Sequence, residues 1–223
     1  MPNHVRDPGE GGLRRCIVVL NGAFRMTPAL RSAFEGARVI AADGGLLRLQ
    51  RHAISPDLVL GDFDSLGDHP PGAPVQRFAR AKDETDGELA LRAALDEGMQ
   101  QVTLVGAFSG RFDMAVGHIA LLRWAAARGV QALLTDGLQE ARLAPRLRLP
   151  VGPRGARLSV VALTPSVRLQ SHGLRWPLDL DALRWDEMRG NSNRVEADDA
   201  WIRLVAGQAL AILPYSARWS ARG

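Results

Sequence analysis

Through residue 136 the chain alternates between short apolar runs and segments of helical spacing. Cys16–Leu20, Arg38–Ala42, Leu58–Leu60, Val75–Ala79, Val102–Val105 and Ala132–Leu134 are apolar runs of strand length and predict strands. Pro28–Glu35, Leu46–His52, Thr85–Asp96 and Arg111–Ala127 carry the period of a helix. In the last of these, Phe112, Ala115, Val116, Ile119 and Leu122 are expected to form the apolar face, leaving Arg123 and Arg128 in water. Strand and helix in alternation imply an α/β domain, a mostly parallel sheet flanked by helices.

From Gly137 the helical period fades. Leu147–Leu149, Leu158–Leu163, Val167–Gln170, Asn193–Glu196, Trp201–Val205 and Ala209–Leu213 are short β-like runs separated by Gly, Pro and Asn, the pattern of an all-β sandwich or barrel. The expected organisation is a loose tail over 1–13, an α/β catalytic domain over 14–136 and a smaller all-β sandwich domain over 137–223. Trp176, Trp185, Trp201 and Trp219, four of the five tryptophans, fall in the last region.

With 223 residues, 46% of them hydrophobic and 23% charged, the chain can bury a core without disulfides, which excludes a disordered or collagen-like protein. The formal net charge is +4, and Lys82 is the one lysine among 28 basic residues. The high pI therefore reflects arginine, and without a basic patch interleaved with aromatics no nucleic-acid partner is expected. The single cysteine, Cys16, lies inside an apolar run and fits a reducing cytoplasm. Residues 1–13 lack the apolar core of a signal peptide, and no stretch approaches the roughly 20 apolar residues of a membrane span, so no membrane partner is expected.

Ligands of open α/β sheets bind beyond the carboxyl ends of the strands. Asn21-Gly22 follows the first strand, Asp43-Gly44-Gly45 the second, and Gly61-Asp62-Phe63-Asp64-Ser65 the third. Lys82-Asp83-Glu84-Thr85-Asp86 leads into the long middle helix, and Gly106 to Asp113 follows the fifth strand. Half of the acidic residues, 12 of 24, fall between Asp43 and Asp113. Each piece has two readings. Asp62 and Asp64 can share a hard divalent ion or form a turn that satisfies its own backbone. Thr85 and Glu88 fit a capping box, with Asp86 complementing the helix dipole. Gly110 and its neighbours free backbone N–H groups for an anion, Arg111 adds a forked phosphate donor, and Asp113 can orient it. Together the strand ends describe a Mg²⁺-dependent phosphoryl or pyrophosphoryl transfer site with an open choice of acceptor. A P-loop and a protein-kinase signature are both missing from the sequence.

These motifs, with Pro56-Asp57 and with Gly173-Leu174-Arg175-Trp176-Pro177-Leu178 and Ser192-Asn193 in the second region, resemble those of the thiamine pyrophosphokinase family in the same order. The resemblance implies a homodimer that uses thiamine and ATP, with Mg²⁺. It implies that Asp62, Asp64 and Asp86 hold the metal. Asp43 would then lie beside the reacting groups, and Asn21, Gly44, Lys82, Thr85, Gly110, Arg111 and Asp113 would serve the phosphate side. Trp176, Ser192 and Asn193 would line the thiamine pocket, across a dimer interface. The sequence departs from the family where its Arg-x-Asp is followed by His and, four residues later, Asn: here Met114 and His118 stand, and Ser109 replaces the first of its paired glycines. His118, one turn from Met114, is a candidate to supply the missing imidazole. The alternatives are a pyrophosphokinase for another hydroxymethyl heterocycle such as a pterin, a dehalogenase-like phosphatase built on Asp62, and a non-catalytic thiamine or nucleotide sensor.

Overall fold

The computed structural model describes residues 13–61, 73–77, 84–179 and 182–216. They fall into two compact units, one ending at Gly137 and one beginning at Leu138.

The first unit runs β1 (Arg15–Val19), α1 (Pro28–Phe34), β2 (Arg38–Ala42), α2 (Gly45–Gln50), β3 (Leu58–Gly61), β4 (Val75–Arg77), α3 (Asp86–Asp96), β5 (Gln101–Val105), α4 (Phe112–Ala126) and β6 (Gln131–Thr135). Its strands stand in the order β6-β5-β1-β2-β3-β4, all parallel. Ile17, Val18, Val19, Ile40, Ala41, Val59, Leu60 and Leu104 are almost wholly buried. Their consecutive burial requires cover on both faces of the sheet, which is why these strands read as unbroken apolar runs. Pro28 opens α1, and Thr27 caps it by accepting from the Leu30 N–H.

One expected face holds only in part, at Leu122 and, half-buried, at Ala115 and Ile119. In α4 the buried residues are His118, Leu121, Leu122 and Ala125, whereas Phe112 is 82% and Val116 51% exposed. The helix is apolar nearly all round, so periodicity alone left its orientation open, and a histidine took the inward position that a hydrophobic count passes over.

The second unit has two antiparallel sheets. One is ordered β12-β9-β14-β7, from β7 (Gln139–Leu143), β9 (Arg157–Ala162), β12 (Asn193–Arg194) and β14 (Ala209–Pro214). The other is ordered β11-β10-β13-β8, from β8 (Leu149–Pro150), β10 (Ser166–His172), β11 (Leu183–Arg184) and β13 (Trp201–Ala206). Leu158, Val160, Ala211 and Leu213 of the first sheet share one core with Val167, Leu169, Ile202 and Leu204 of the second, which makes the unit a sandwich. Strand β7 was not foreseen: Glu140 and Arg142 interrupt its apolar pattern, yet they are buried as an ion pair. No described helix is long and apolar enough to cross a membrane.

Candidate functional site

The strand order of the first unit reverses at β1, which pairs with β2 on one side and β5 on the other. A crevice beyond the carboxyl ends is expected at such a switch point. Here the chain after β1 and the chain after β5 approach closely: a Cβ placed on Gly22 would overlap the Gly106 carbonyl, and one on Gly106 would lie 2.6 Å from the Gly22 oxygen. Ser109 Oγ donates to the Ala23 carbonyl at 2.9 Å and joins the two segments again. The sequence departure at Ser109 therefore has a local use.

Next to this crevice, β2 is followed by Asp43, one of three described non-glycine residues with a left-handed backbone (φ 44°). Aspartate tolerates that conformation better than most residues. Its N–H donates to the Leu60 carbonyl at 2.7 Å, which ties the end of β2 to β3. Gly44 presses on the Asn21 side chain, leaving no room for a Cβ, and Arg48 Nε donates to the Asn21 carbonyl at 3.0 Å. A Cβ on Gly61 would come within 3.2 Å of Asp43 Cα, so the end of β3 stands directly beside Asp43. Asp62, Asp64 and Lys82 lie outside the described residues. Pro56-Asp57 belongs to the opposite end of the sheet. There Asp57 accepts the Val39 N–H at 2.8 Å and stands 3.7 Å from Arg38, a structural role.

Thr85 and Asp86 open α3. The Thr85 hydroxyl accepts from the Glu88 N–H at 3.2 Å, but Glu88 turns to Arg92 at 3.2 Å, so only half of the expected capping box forms. Gly87 is buried, and a Cβ there would meet Leu20 Cδ2 at 3.1 Å, which sets the first turn of α3 against the end of β1.

Gly110, with φ 97°, precedes Arg111, the N-cap of α4, which makes no side-chain cap. Arg111 instead forms a two-pronged pair with Asp113, Nε to Oδ1 at 3.1 Å and Nη2 to Oδ2 at 2.5 Å. Hydrogen bonding to Arg111 holds the Asp113 carboxyl below the usual carboxylate range, and the Asp113 carboxylate holds the guanidinium proton more tightly in turn. His118 does not face the crevice as a free imidazole. It is 7% exposed, its Nδ1 donates to the Ala107 carbonyl at 3.0 Å, and burial lowers its basicity despite that bond. Sequence spacing alone carried no signal for this inward turn.

In the second unit, residues 173–176 run beside residues 193–196. Arg175 N–H donates to the Arg194 carbonyl at 2.9 Å, Glu196 N–H to the Gly173 carbonyl at 2.8 Å, and Leu174 bridges Val195. Asn193, 1% exposed, closes on the Trp176 backbone with both ends of its amide. Nδ2 donates to the Trp176 carbonyl at 2.6 Å, and Oδ1 accepts from the Trp176 N–H at 3.2 Å and from the Arg194 N–H at 2.8 Å. The Trp176 side chain is left 53% exposed, with the Arg175 guanidinium 5.1 Å from its ring centre. Ser192 is exposed with a left-handed backbone (φ 56°), and its N–H donates to Ser159 Oγ at 3.0 Å. Asn193 is thus committed to holding Trp176, whereas Trp176 and Ser192 remain accessible.

Among the described residues no group of three His, Cys, Asp or Glu side chains could hold a metal. The groups offered beside the crevice are the carboxylates of Asp43 and Asp86, with Asp62 and Asp64 following Gly61 in the sequence. Cys16 is buried in β1, its thiol pushed far up by burial, and His118 is turned to Ala107. A donor set of carboxylate oxygens without thiolate or open imidazole fits a hard divalent ion that also binds phosphate.

Comparison with known proteins finds the same organisation elsewhere. The family model of the thiamin pyrophosphokinase catalytic domain matches residues 31–134, and that of the thiamin pyrophosphokinase vitamin B1 binding domain matches residues 146–208. Thiamine pyrophosphokinase 1 of Arabidopsis thaliana is 26% identical over 86% of this chain and 83% of its own length. The thiamine pyrophosphokinase of Bacillus subtilis is 30% identical over 57% of this chain and 63% of its own. A crystal structure of thiamine pyrophosphokinase from Bacillus subtilis superposes with a TM-score of 0.79 over 90% of this chain and 99% of that one, at 23% identity, and shares the fold.

Proposed function

Because the chain belongs to the thiamin pyrophosphokinase family, we propose that it transfers the terminal pyrophosphate of ATP to the hydroxyl of thiamine, giving thiamine diphosphate and AMP. The observation that carries this reading is the switch-point crevice, where Asn21-Gly22, Asp43-Gly44 and the Gly106–Gly110 loop meet. A close, glycine-lined meeting of strand ends with Asp43 at its edge suits a polyphosphate and its counter-ion better than an apolar ligand.

In the reaction the thiamine oxygen forms a bond to the β-phosphorus, and the bond from that phosphorus to the oxygen bridging it to the α-phosphate breaks, with AMP leaving in line. Asp43 is our candidate to accept the hydroxyl proton. Arg111, Lys82, Thr85 and the glycine N–H groups, Gly44 and Gly110 among them, bind phosphate oxygens, and Asn21 orders the loop beneath them. Asp62, Asp64 and Asp86 are the residues we assign to Mg²⁺, which when bound neutralises charge on the phosphate oxygens. On the thiamine side, the exposed Trp176 indole offers a π-face to a cationic heteroaromatic ring, Ser192 offers a hydroxyl, and Asn193 supports the Trp176 backbone from behind. We further propose a homodimer acting in the cytoplasm, in keeping with the buried, unpaired Cys16.

The test is to incubate the purified protein with thiamine, ATP and Mg²⁺ and to look for thiamine diphosphate by mass. A parallel arm with a hydroxymethyl pterin identifies the other acceptor class, and light scattering reads the oligomeric state. Phosphate release without an acceptor, or thiamine binding without AMP, would replace this reading with a phosphatase or a sensor.

A further inference from the structure

His118 is the buried titratable side chain beside the crevice to which the reaction above assigns no role. Its surroundings define what it does. Nδ1 lies 3.0 Å from the Ala107 carbonyl. A carbonyl only accepts, so the proton is on Nδ1 and Nε2 carries the lone pair. The Nε2 edge faces α3, 3.7 Å from where a Cβ on Gly87 would stand. Gly87 follows Thr85 and Asp86 in the first turn of that helix. The imidazole therefore lies between two segments that the proposed reaction needs in register: the Gly106–Gly110 loop, hydrogen-bonded on one side, and the start of α3, which its other edge faces. Elsewhere the described residues fix the loop toward β1, by Gly106 against Gly22 and by Ser109 to Ala23, and toward β6, by the Gly106 N–H donating to the Thr135 carbonyl at 2.8 Å. From the helix side, the described hydrogen bond to it is that of His118.

We propose that His118 is a positioning residue: through its Nδ1–H bond to Ala107, and with its Nε2 edge turned to Gly87, it holds the phosphate loop in register with the carboxylate-bearing start of α3. This rests on the pyrophosphokinase reading for its kinetic consequence, but not for its geometry. The role needs a donor of one length at one place and no chemistry of the ring itself. Asparagine, which can also donate to Ala107, should therefore serve in part, and leucine, of similar bulk, should not.

Three measurements on the full-length protein decide it. Imidazole nitrogen shifts in the wild type should report the Nδ1–H tautomer for His118. H118L, at a melting temperature close to wild type, should lose about 10- to 100-fold in kcat with thiamine KM nearly unchanged, the range seen when a supporting hydrogen bond to a reacting group is removed. H118N should recover most of that loss. An Nε2–H tautomer, a folded H118L with wild-type kcat, or an H118N no better than H118L would each overturn the proposal. A wild type without pyrophosphokinase activity would instead overturn the function assigned above, and the tautomer would still decide the geometry.

Discussion

The two units prepare for ligands in opposite ways. In the α/β unit the candidate groups come from ends of strands far apart in sequence, and little of the surface is side chain: Gly22 meets the Gly106 carbonyl, Gly44 meets Asn21, and Asp43 is held in a left-handed backbone. In the sandwich unit the candidate patch comes from two adjacent segments, and a buried amide, Asn193, presents one large exposed indole, Trp176. The contrast follows from what each would bind. A polyphosphate needs many donors aimed in advance, which backbone supplies without reorganisation. A flat cationic ring needs a rigid face and little else. Each unit nevertheless places one candidate, Asp43 or Ser192, in a conformation that non-glycine residues seldom adopt.

The severest way to break the comparison is through the carboxylates. Asp86→Ala should fold, because Thr85 still caps α3 and a helix-dipole contact at a half-buried position is worth at most about 2 kcal/mol. Its turnover should nevertheless fall by at least about 100-fold. Turnover within threefold of wild type would remove this edge from the phosphate side. Gly45→Ala should come next, since its Cβ would overlap the Val19 carbonyl oxygen, backbone that cannot swing aside, an overpacking cost of about 1–3 kcal/mol. ATP affinity should fall with it. Gly117→Ala on α4 is the control: a Cβ there meets nothing within 4 Å, so that variant should be as stable as wild type or up to about 1 kcal/mol more so. Thermal melts of the pair test whether close backbone approach, and not glycine content, shapes the crevice.

How far the sequence reveals each unit follows the same divide. The parallel strands were legible because burial on both faces writes an unbroken apolar run, as in Ile17 to Leu20. Of the residues after the strands, Gly22, Gly44 and Gly106 were legible as places where two segments approach closely. The orientation of α4 was not, since Phe112, Val116 and Ile119 outweigh His118 in any hydrophobic count while tertiary packing turned His118 inward. Strand β7 was hidden because a buried Glu140–Arg142 pair looks polar in sequence. Asn193 could be marked as a candidate by motif, but its engagement with the Trp176 backbone is a tertiary fact that no local spacing encodes.

Two substitutions sharpen the comparison on the sandwich side. Asn193→Ala leaves the Trp176 N–H and carbonyl without their described partner, a loss of about 1–3 kcal/mol of stability. Thiamine KM should rise by up to about fivefold, the limit set by loss of the indole itself, while kcat at saturating thiamine is retained. Trp176→Ala removes a side chain already 53% exposed, so its melting temperature should stay near wild type. Thiamine KM should rise about fivefold, the scale of one cation–π contact of about 1 kcal/mol. If Trp176→Ala proved the less stable of the two, the indole would be packing and not presentation.

The smallest effect belongs to Asp113. Its pair with Arg111 is well formed but exposed, 61% and 76% for the two side chains. Arg111 depresses the Asp113 pKa, so any stability the pair contributes is present above the ordinary carboxylate range and lost as pH falls through the depressed value. Solvent and salt screen such a pair almost completely. Asp113→Asn and wild type should therefore melt together across the acid range as well as at neutral pH. What should change is ATP KM, rising about two- to threefold as Arg111 loses the partner that fixes its fork, an effect of geometry and not of stability. A fall in melting temperature confined to pH above the carboxylate range would show the opposite: a pair that holds the start of α4 in place and has no share in aiming the guanidinium at phosphate.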